Sequence, residues 1–588
     1  MAYERESLSE GCESGQSAQP YIGRVVFSQD LPAGPNEFWC WLRDSPNLNV
    51  QVGSLLTVDG EDERILTVVS DMKYFSTARN VSMEFYGSGY GDPQIQPTTR
   101  PTIIRCAKLR VLLRVPHLSA PPEGRWGVRY VNDEDLRLLS GRIPERRRIL
   151  GGFLRIGLNE GDSRSWHPVY LHADFLLGPE GAHGNISGVT GLATKTSYAL
   201  FLAYSILAWA QENEERVAIV LFNVKRRDFL QLHSLPRNWE EAEQLIRSWA
   251  SQRVGDPQIA TRVNALWNVA RENNVDPINM RPNVKYFTYQ GDPDADLMRN
   301  PIYIRYGLAD IRRGELIAAL YRADEEPGEQ QINLINVYLD THPNVSFNRM
   351  LNDLRALSQI RALSQIVSGR GRQRAHSAPQ IGAWNERTIN AVWRRLTGFL
   401  SKAQHIIERR SPRGHPVTFS ELQEGLNVIQ LNRLHDTEKR LLVNAILREV
   451  SEGLELPRSR RRLDRVVIVV DELNKYAPKR WSPIKEQIID VVARGRDLRL
   501  SLIGAQQFAS DIDNEVLGNS ATRIVGRSDP SELSKKEIYA HLGDLRDIAA
   551  YLEKGEMILY HPVHPAPFII WFPPPLHEIT LTAQGGAS

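Results

Sequence analysis

The stretch Arg465-Val466-Val467-Ile468-Val469-Val470-Asp471-Glu472 decides how this chain is read. Consecutive β-branched apolar residues end in two adjacent carboxylates. An apolar run without alternation is a strand buried on both faces, as in the middle of a parallel α/β sheet. Ligands in such sheets bind beyond the carboxyl ends of the strands, where Asp471 and Glu472 stand. Two acids at the tip of a core strand are costly to desolvate unless the site uses their charge. A Mg²⁺-nucleotide site is the usual use: the Asp holds the metal, often through water, and the Glu polarises an attacking water. A strand followed by a plain acidic turn is the other reading of these two residues alone.

Working outward, Gly178 to Ser197 is a Gly-rich loop that runs directly into an apolar helical pattern from Tyr198 to Ala210. A loop feeding a helix N-terminus offers free N–H groups and the positive end of a dipole to a phosphate. Lys195 is placed to reach the β- and γ-phosphates and Thr196 to sit on Mg²⁺. The match to G-x-x-x-x-G-K-[ST] is imperfect: Gly188 to Lys195 is one residue longer, and Thr194 replaces the Gly before the Lys. Arg216 to Asp228 is a second buried strand whose polar end offers Asn223, Lys225 and Asp228 to a nucleotide or to solvent. Leu498 to Gln507 is a third strand, ending in the amides Gln506 and Gln507. An amide at such a tip senses a γ-phosphate in P-loop ATPases.

The chain of 588 residues is too long for one core, so several structural units are expected. Hydrophobic content of 41% and charged content of 24% are ordinary for a globular protein. The net charge of +2 argues neither for nor against nucleic acid, because a basic channel can lie within an acidic exterior. Cys12, Cys40 and Cys106 form no C-x-x-C pair, which argues against a zinc site and suits a reducing cytoplasm. No run reaches transmembrane length and the charged start is no signal peptide, so a cytoplasmic protein without membrane contact is expected.

The expected fold is α/β: a RecA-like P-loop ATPase core with a helical insertion, preceded by a small N-terminal β-barrel. Residues 1–20 read as a disordered tail and 21–165 as the barrel, from short strands at 22–28, 37–42, 53–58, 64–69 and 102–115. The core is expected over 166–307 and 416–575, interrupted by a helical insertion at 308–415 and followed by a tail at 576–588. A helix from Glu438 to about Glu452 has Gly453 as its stop. The basic Ser368 to Pro379 segment reads as a loop, a solvated linker or a phosphate track.

Taken together, phosphate loop, acidic strand tip and amide strand tip resemble the bacterial HerA-like ATPases of the HerA/FtsK superfamily. The resemblance is carried by Asp471-Glu472-Leu473-Asn474-Lys475-Tyr476-Ala477-Pro478, Ser482 to Gln487, Ala493-Arg494-Gly495-Arg496, Ile503 to Gln507 and Asn519 to Arg527. The loop Gly188-Val189-Thr190-Gly191-Leu192-Ala193-Thr194-Lys195-Thr196 looks like a variant found in one branch of that family. The likeness spans roughly 20–575 and implies a homohexamer that pumps double-stranded DNA using ATP and Mg²⁺. It also implies a nuclease or a sirtuin-type effector as partner, in antiphage defence or DNA end processing. By this likeness Gly188, Thr190, Gly191, Leu192, Ala193, Thr194, Lys195, Thr196 and Ser197 bind the nucleotide, and Thr196 and Asp471 hold the metal. Glu472 is the base and Gln506 and Gln507 are the sensors. Arg496, Arg494 or Arg527 is the arginine given to a neighbouring site. A nucleotide-binding scaffold and a secretion or conjugation ATPase are the alternatives.

Overall fold

The computed structural model describes residues 20–45, 48–97, 101–157, 159–180, 182–189, 195–225, 227, 229–311, 316–317, 328–367, 384–480, 482 and 484–583. The chain divides into two compact units at Leu139 and Ser140.

The first unit is a closed antiparallel barrel. Its strands are β1 (Gly23–Val26), β2 (Glu37–Leu42), β3 (Leu55–Asp59), β4 (Arg64–Ser76), β5 (Ile103–Val115) and β6 (Gly127–Tyr130), closing in the order β1-β2-β5-β4-β3-β6. Side chains that alternate inward fill it: Phe38, Leu56, Ile65, Val69, Leu109 and Val128 are all solvent-inaccessible. Closure leaves no free edge among these six strands, which is how short strands of this kind avoid exposing unpaired backbone.

The second unit is built on a 12-stranded sheet. Its strands are β7 (Arg148–Arg155), β8 (Trp166–His172), β9 (Gly184–Ser187), β10 (Val217–Asn223), β11 (Val284–Thr288), β12 (Ile302–Tyr303), β13 (Gly425–Gln430), β14 (Arg465–Asp471), β15 (Leu500–Gln506), β16 (Thr522–Val525), β17 (Glu556–Tyr560) and β18 (Phe568–Trp571). The order is β12-β11-β13-β10-β14-β15-β9-β16-β17-β18-β7-β8. From β12 to β16 every pairing is parallel, and from β16 to β8 every pairing is antiparallel. This is the expected α/β core. Every residue of β10, β14 and β15 is buried, as their unalternated apolar sequences require.

Two sequence readings change here. β7 pairs with β18 and β8 in the large sheet, whereas the barrel was expected to run to residue 165. The helix Asp436–Glu455 passes through Gly453 instead of stopping there. The glycine makes room for a ring, since a Cβ on it would lie 2.1 Å from the Phe419 side chain. The insertion contains the helices Glu329–Thr341, Phe347–Val367 and Glu386–Lys402, and the basic Ser368 to Pro379 segment lies outside the described residues. Among the described residues, no helix is long and apolar enough to cross a membrane.

Candidate functional site

The site lies at the carboxyl edge of the parallel sheet, where β9, β15, β14 and β10 end side by side. Cα register aligns Ser187 with Gln506, Asp471 with Ala505, and Phe222 with Val470. The amide strand β15 thus separates the loop strand β9 from the acidic strand β14.

After β9 the backbone is tethered on both sides. Gly188 N–H donates to Gln506 O at 3.3 Å, and Val189 N–H donates to Arg527 O at 2.7 Å. Gly188 has φ +150, and a Cβ there would meet Arg527 O at 3.1 Å, so this position calls for glycine. Thr190, Gly191, Leu192, Ala193 and Thr194 lie outside the described residues. The helix Lys195–Glu212 begins at Lys195.

Lys195 is 4% exposed, and its Nζ has no hydrogen-bond partner among the described residues. Burial first, and then the Lys225 charge, lower its pKa to about 8, against the opposing pull of Asp471 and Glu472. A cation at a helix N-terminus also faces the positive end of the dipole. A buried, unpartnered ammonium there is at odds with every local preference unless an anion joins it. Thr196 beside it is half-buried. Ser197 faces elsewhere: its Oγ donates to Glu578 Oε1 at 3.4 Å.

Asp471 is 4% exposed. Its Oδ1 accepts the Glu472 N–H at 2.9 Å, and its Oδ2 lies 3.6 Å from Lys225 Nζ. Glu472 turns the chain out of the strand with φ +56, a left-handed conformation that an ordinary side chain adopts only at a cost. Its carboxylate lies 3.1 Å from Lys225 Nζ and also pairs with Lys475. Burial would raise the Glu472 carboxyl, but the Lys475 hydrogen bond and the Lys225 charge outweigh it and hold the group below its ordinary value.

The amides behave differently from one another. Gln506 is solvent-inaccessible and locked to Asn185 of β9: Gln506 Nε2 donates to Asn185 Oδ1 at 2.7 Å, and Asn185 Nδ2 donates back at 3.3 Å. Gln507 is half-buried at the strand tip. Asn223 is engaged structurally, donating to Gln430 Oε1 at 2.7 Å across β10 and β13. Lys225 enters the site as the sequence suggested, while Asp228 lies outside the described residues.

Within one chain the three arginines occupy different places. Arg494 and Arg496 end the helix Lys485–Leu498, which feeds the amino end of β15, so they sit at the opposite edge of the sheet from Asp471. Seven residues of strand, roughly 20 Å, separate the two edges. Arg494 is paired with Asp490 at 2.6 Å and Glu455 at 3.5 Å, whereas Arg496 is exposed. Arg527 is exposed at the carboxyl edge, its own carbonyl holding Val189. The sequence reading missed Lys475 and Asn185 as parts of the site. Lys475 lies one helical turn after Glu472 and was there to be noticed. The Asn185–Gln506 pair joins positions 321 apart, which nothing in the sequence signals.

No family model matches the sequence, and no curated protein does. Among solved structures the chain is similar to VirB4 of Thermoanaerobacter pseudethanolicus, at 11% identity over 74% of this chain and 99% of that one, with a TM-score of 0.43. It is also similar to the plasmid coupling protein TrwB in complex with ADP and Mg²⁺, at 13% identity over 66% and 84%, with a TM-score of 0.37. A third is the genome packaging NTPase B204 from Sulfolobus turreted icosahedral virus 2 in complex with ATP-gammaS, at 15% identity over 26% and 72%, with a TM-score of 0.20.

Proposed function

We propose that this chain is an ATPase of the HerA/FtsK type, working as a homohexamer that moves double-stranded DNA. The observation that carries the reading is the buried Lys195 ammonium, without a hydrogen-bond partner among the described residues at a helix N-terminus and electrostatically coupled to Asp471, Glu472 and Lys225. A nucleoside triphosphate supplies the missing anion, with the helix N-terminus and Lys195 taking the phosphates. Asp471 and Thr196 would hold Mg²⁺, which neutralises charge on the transferred phosphoryl group when bound. Glu472, kept ionised by its lysines, accepts a proton from the attacking water, and Gln507 orients on the γ-phosphate. Gln506 holds β15 against β9 through Asn185. A neighbouring chain supplies Arg496, or failing that Arg494 or Arg527.

The hexamer, the DNA substrate, and a nuclease or sirtuin-type partner rest on the sequence likeness around 471–527. The intact acidic pair, with the Glu472 carboxyl held below its ordinary value by Lys475 and Lys225, supports a hydrolysing enzyme over a passive scaffold. The test is mass in solution together with displacement of a third strand from duplex DNA. Six chains of 66.7 kDa give about 400 kDa, and displacement should require ATP. A monomer that hydrolyses ATP at full rate, indifferent to DNA, would remove the motor and leave an isolated ATPase.

A further inference from the structure

The edge of the sheet opposite the nucleotide site carries its own concentration of charge. Arg458-Ser459-Arg460-Arg461-Arg462 forms the turn between the helix Asp436–Glu455 and β14. Asp464 takes Arg216 at 2.9 Å and Arg458 at 2.8 Å, and Glu215 takes Arg465 at 3.3 Å and Arg499 at 3.6 Å. Arg461 stands among Arg499, Arg458 and Arg216; burial first, and then those charges, hold its guanidinium below its ordinary value. These five guanidiniums share Asp464 and Glu215, with Glu424 acting on Arg216 from further off. Arg461 Nε is buried without a hydrogen-bond partner among the described residues, and Arg460 and Arg462 are exposed.

A whole chain of net charge +2 has no general reason to crowd cations here. Like charges packed this closely favour an added polyanion. The residue type narrows the choice. Every cation of the turn is arginine, whose planar fork matches phosphate oxygens in pairs. Protein interfaces centre on buried aromatic or aliphatic anchors. In this turn the large exposed apolar side chain is Leu456, and no aromatic accompanies it.

We infer that the amino-terminal edge of the sheet, centred on Arg458 to Arg462, binds the phosphate backbone of nucleic acid, as a surface separate from the nucleotide site. This deepens the motor reading, on which it rests for the choice of duplex DNA as the polyanion.

The test is anisotropy of a labelled 30-base-pair duplex, without nucleotide, over a salt series, for the wild type and for Arg460→Glu/Arg462→Glu. Both side chains are exposed and remote from Asp471, so DNA-free ATP hydrolysis should be unchanged. Loss of two phosphate contacts should lower the slope of log K against log salt by about 2 and weaken binding about tenfold or more at 0.1 M salt. Wild-type affinity and slope in the double variant would overturn the proposal. So would a fall in assembly mass, which would assign this edge to contact between copies. If the wild type hydrolyses ATP yet binds no duplex, this surface is wrong while the nucleotide site stands. Salt-dependent duplex binding that the variant loses, in a chain that never hydrolyses ATP, would keep the surface and sink the motor.

Discussion

Lys225 Nζ lies 3.1 Å from a carboxylate oxygen of Glu472. It approaches Asp471 as well, at 3.6 Å, so one ammonium bridges the residue assigned to the metal and the residue assigned to water. Burial at a strand tip would push the Glu472 carboxyl toward its neutral form. The lysines reverse this for Glu472, whose carboxyl is held below its ordinary value although burial acts against it. A general base must be ionised to work, and Lys225 with Lys475 keeps it so.

Lys225→Met should therefore move the acid limb of the pH–rate profile for ATP hydrolysis. Removing a cation raises the Glu472 pKa, so the limb should shift to higher pH. A profile superimposable on the wild type would remove Lys225 from the site's electrostatics.

Lys195 should take up a proton when nucleotide binds. Its pKa of about 8 in the nucleotide-free protein should return toward the ordinary value near 10.4 once phosphates neutralise its surroundings. Between those two values the free protein is partly deprotonated there and the complex is not. Calorimetry at about pH 9, in buffers of different ionisation enthalpy, should show net uptake in the wild type. Lys195→Met should lack that component, and equal uptake by both proteins would place the titrating group elsewhere.

Gly188→Ala should loosen the junction of β9 with the residues after β16. The φ of +150 is strained for alanine, and the new Cβ meets Arg527 O at 3.1 Å. A loss of roughly 1–3 kcal/mol in unfolding free energy is expected, together with weaker nucleotide binding. Unchanged values in denaturant titration and in fluorescent-nucleotide binding would show that this backbone is free to shift.

The second unit should lose stability in mild acid. Burial lowers the pKa of His183, His541 and His564 to about 4, against about 6.5 in an unfolded chain. The unfolded state then binds more protons below pH 6.5, so their stabilisation is complete above that value and declines as pH falls toward 4. By pH 5 the loss is on the order of 2 kcal/mol per imidazole. Thermal unfolding at pH 7.5 and pH 5 reads this directly, and an unchanged Tm would contradict it.

Much of this was legible in the sequence, for physical reasons that also explain the failures. β14 was readable because a strand buried on both faces tolerates no polar alternation, and its carboxyl end then placed Asp471 and Glu472. Lys195 was readable from a glycine-rich loop entering a helix. β7 fell within the expected barrel because its pairing with β18 joins positions far apart in the chain, which nothing in the sequence signals. Gly453 misled because its small size serves the Phe419 ring and not a helix cap. The division of labour between Gln506 and Gln507 was invisible, since it depends on Asn185 from another strand.

The central claim is that Lys195 and the Asp471–Glu472 pair form one hydrolytic nucleotide site. It is tested most directly by measuring ATP binding and turnover side by side in the wild type, Lys195→Ala and Glu472→Gln, each shown to be folded. The wild type should bind and turn over ATP. Lys195→Ala should lose turnover and bind ATP more weakly. Glu472→Gln should bind normally while turnover falls by two orders of magnitude or more, within the usual range of about 10²–10⁴ for a general base. Turnover at the wild-type rate in Lys195→Ala, or equal and mild losses in both variants, would contradict the account.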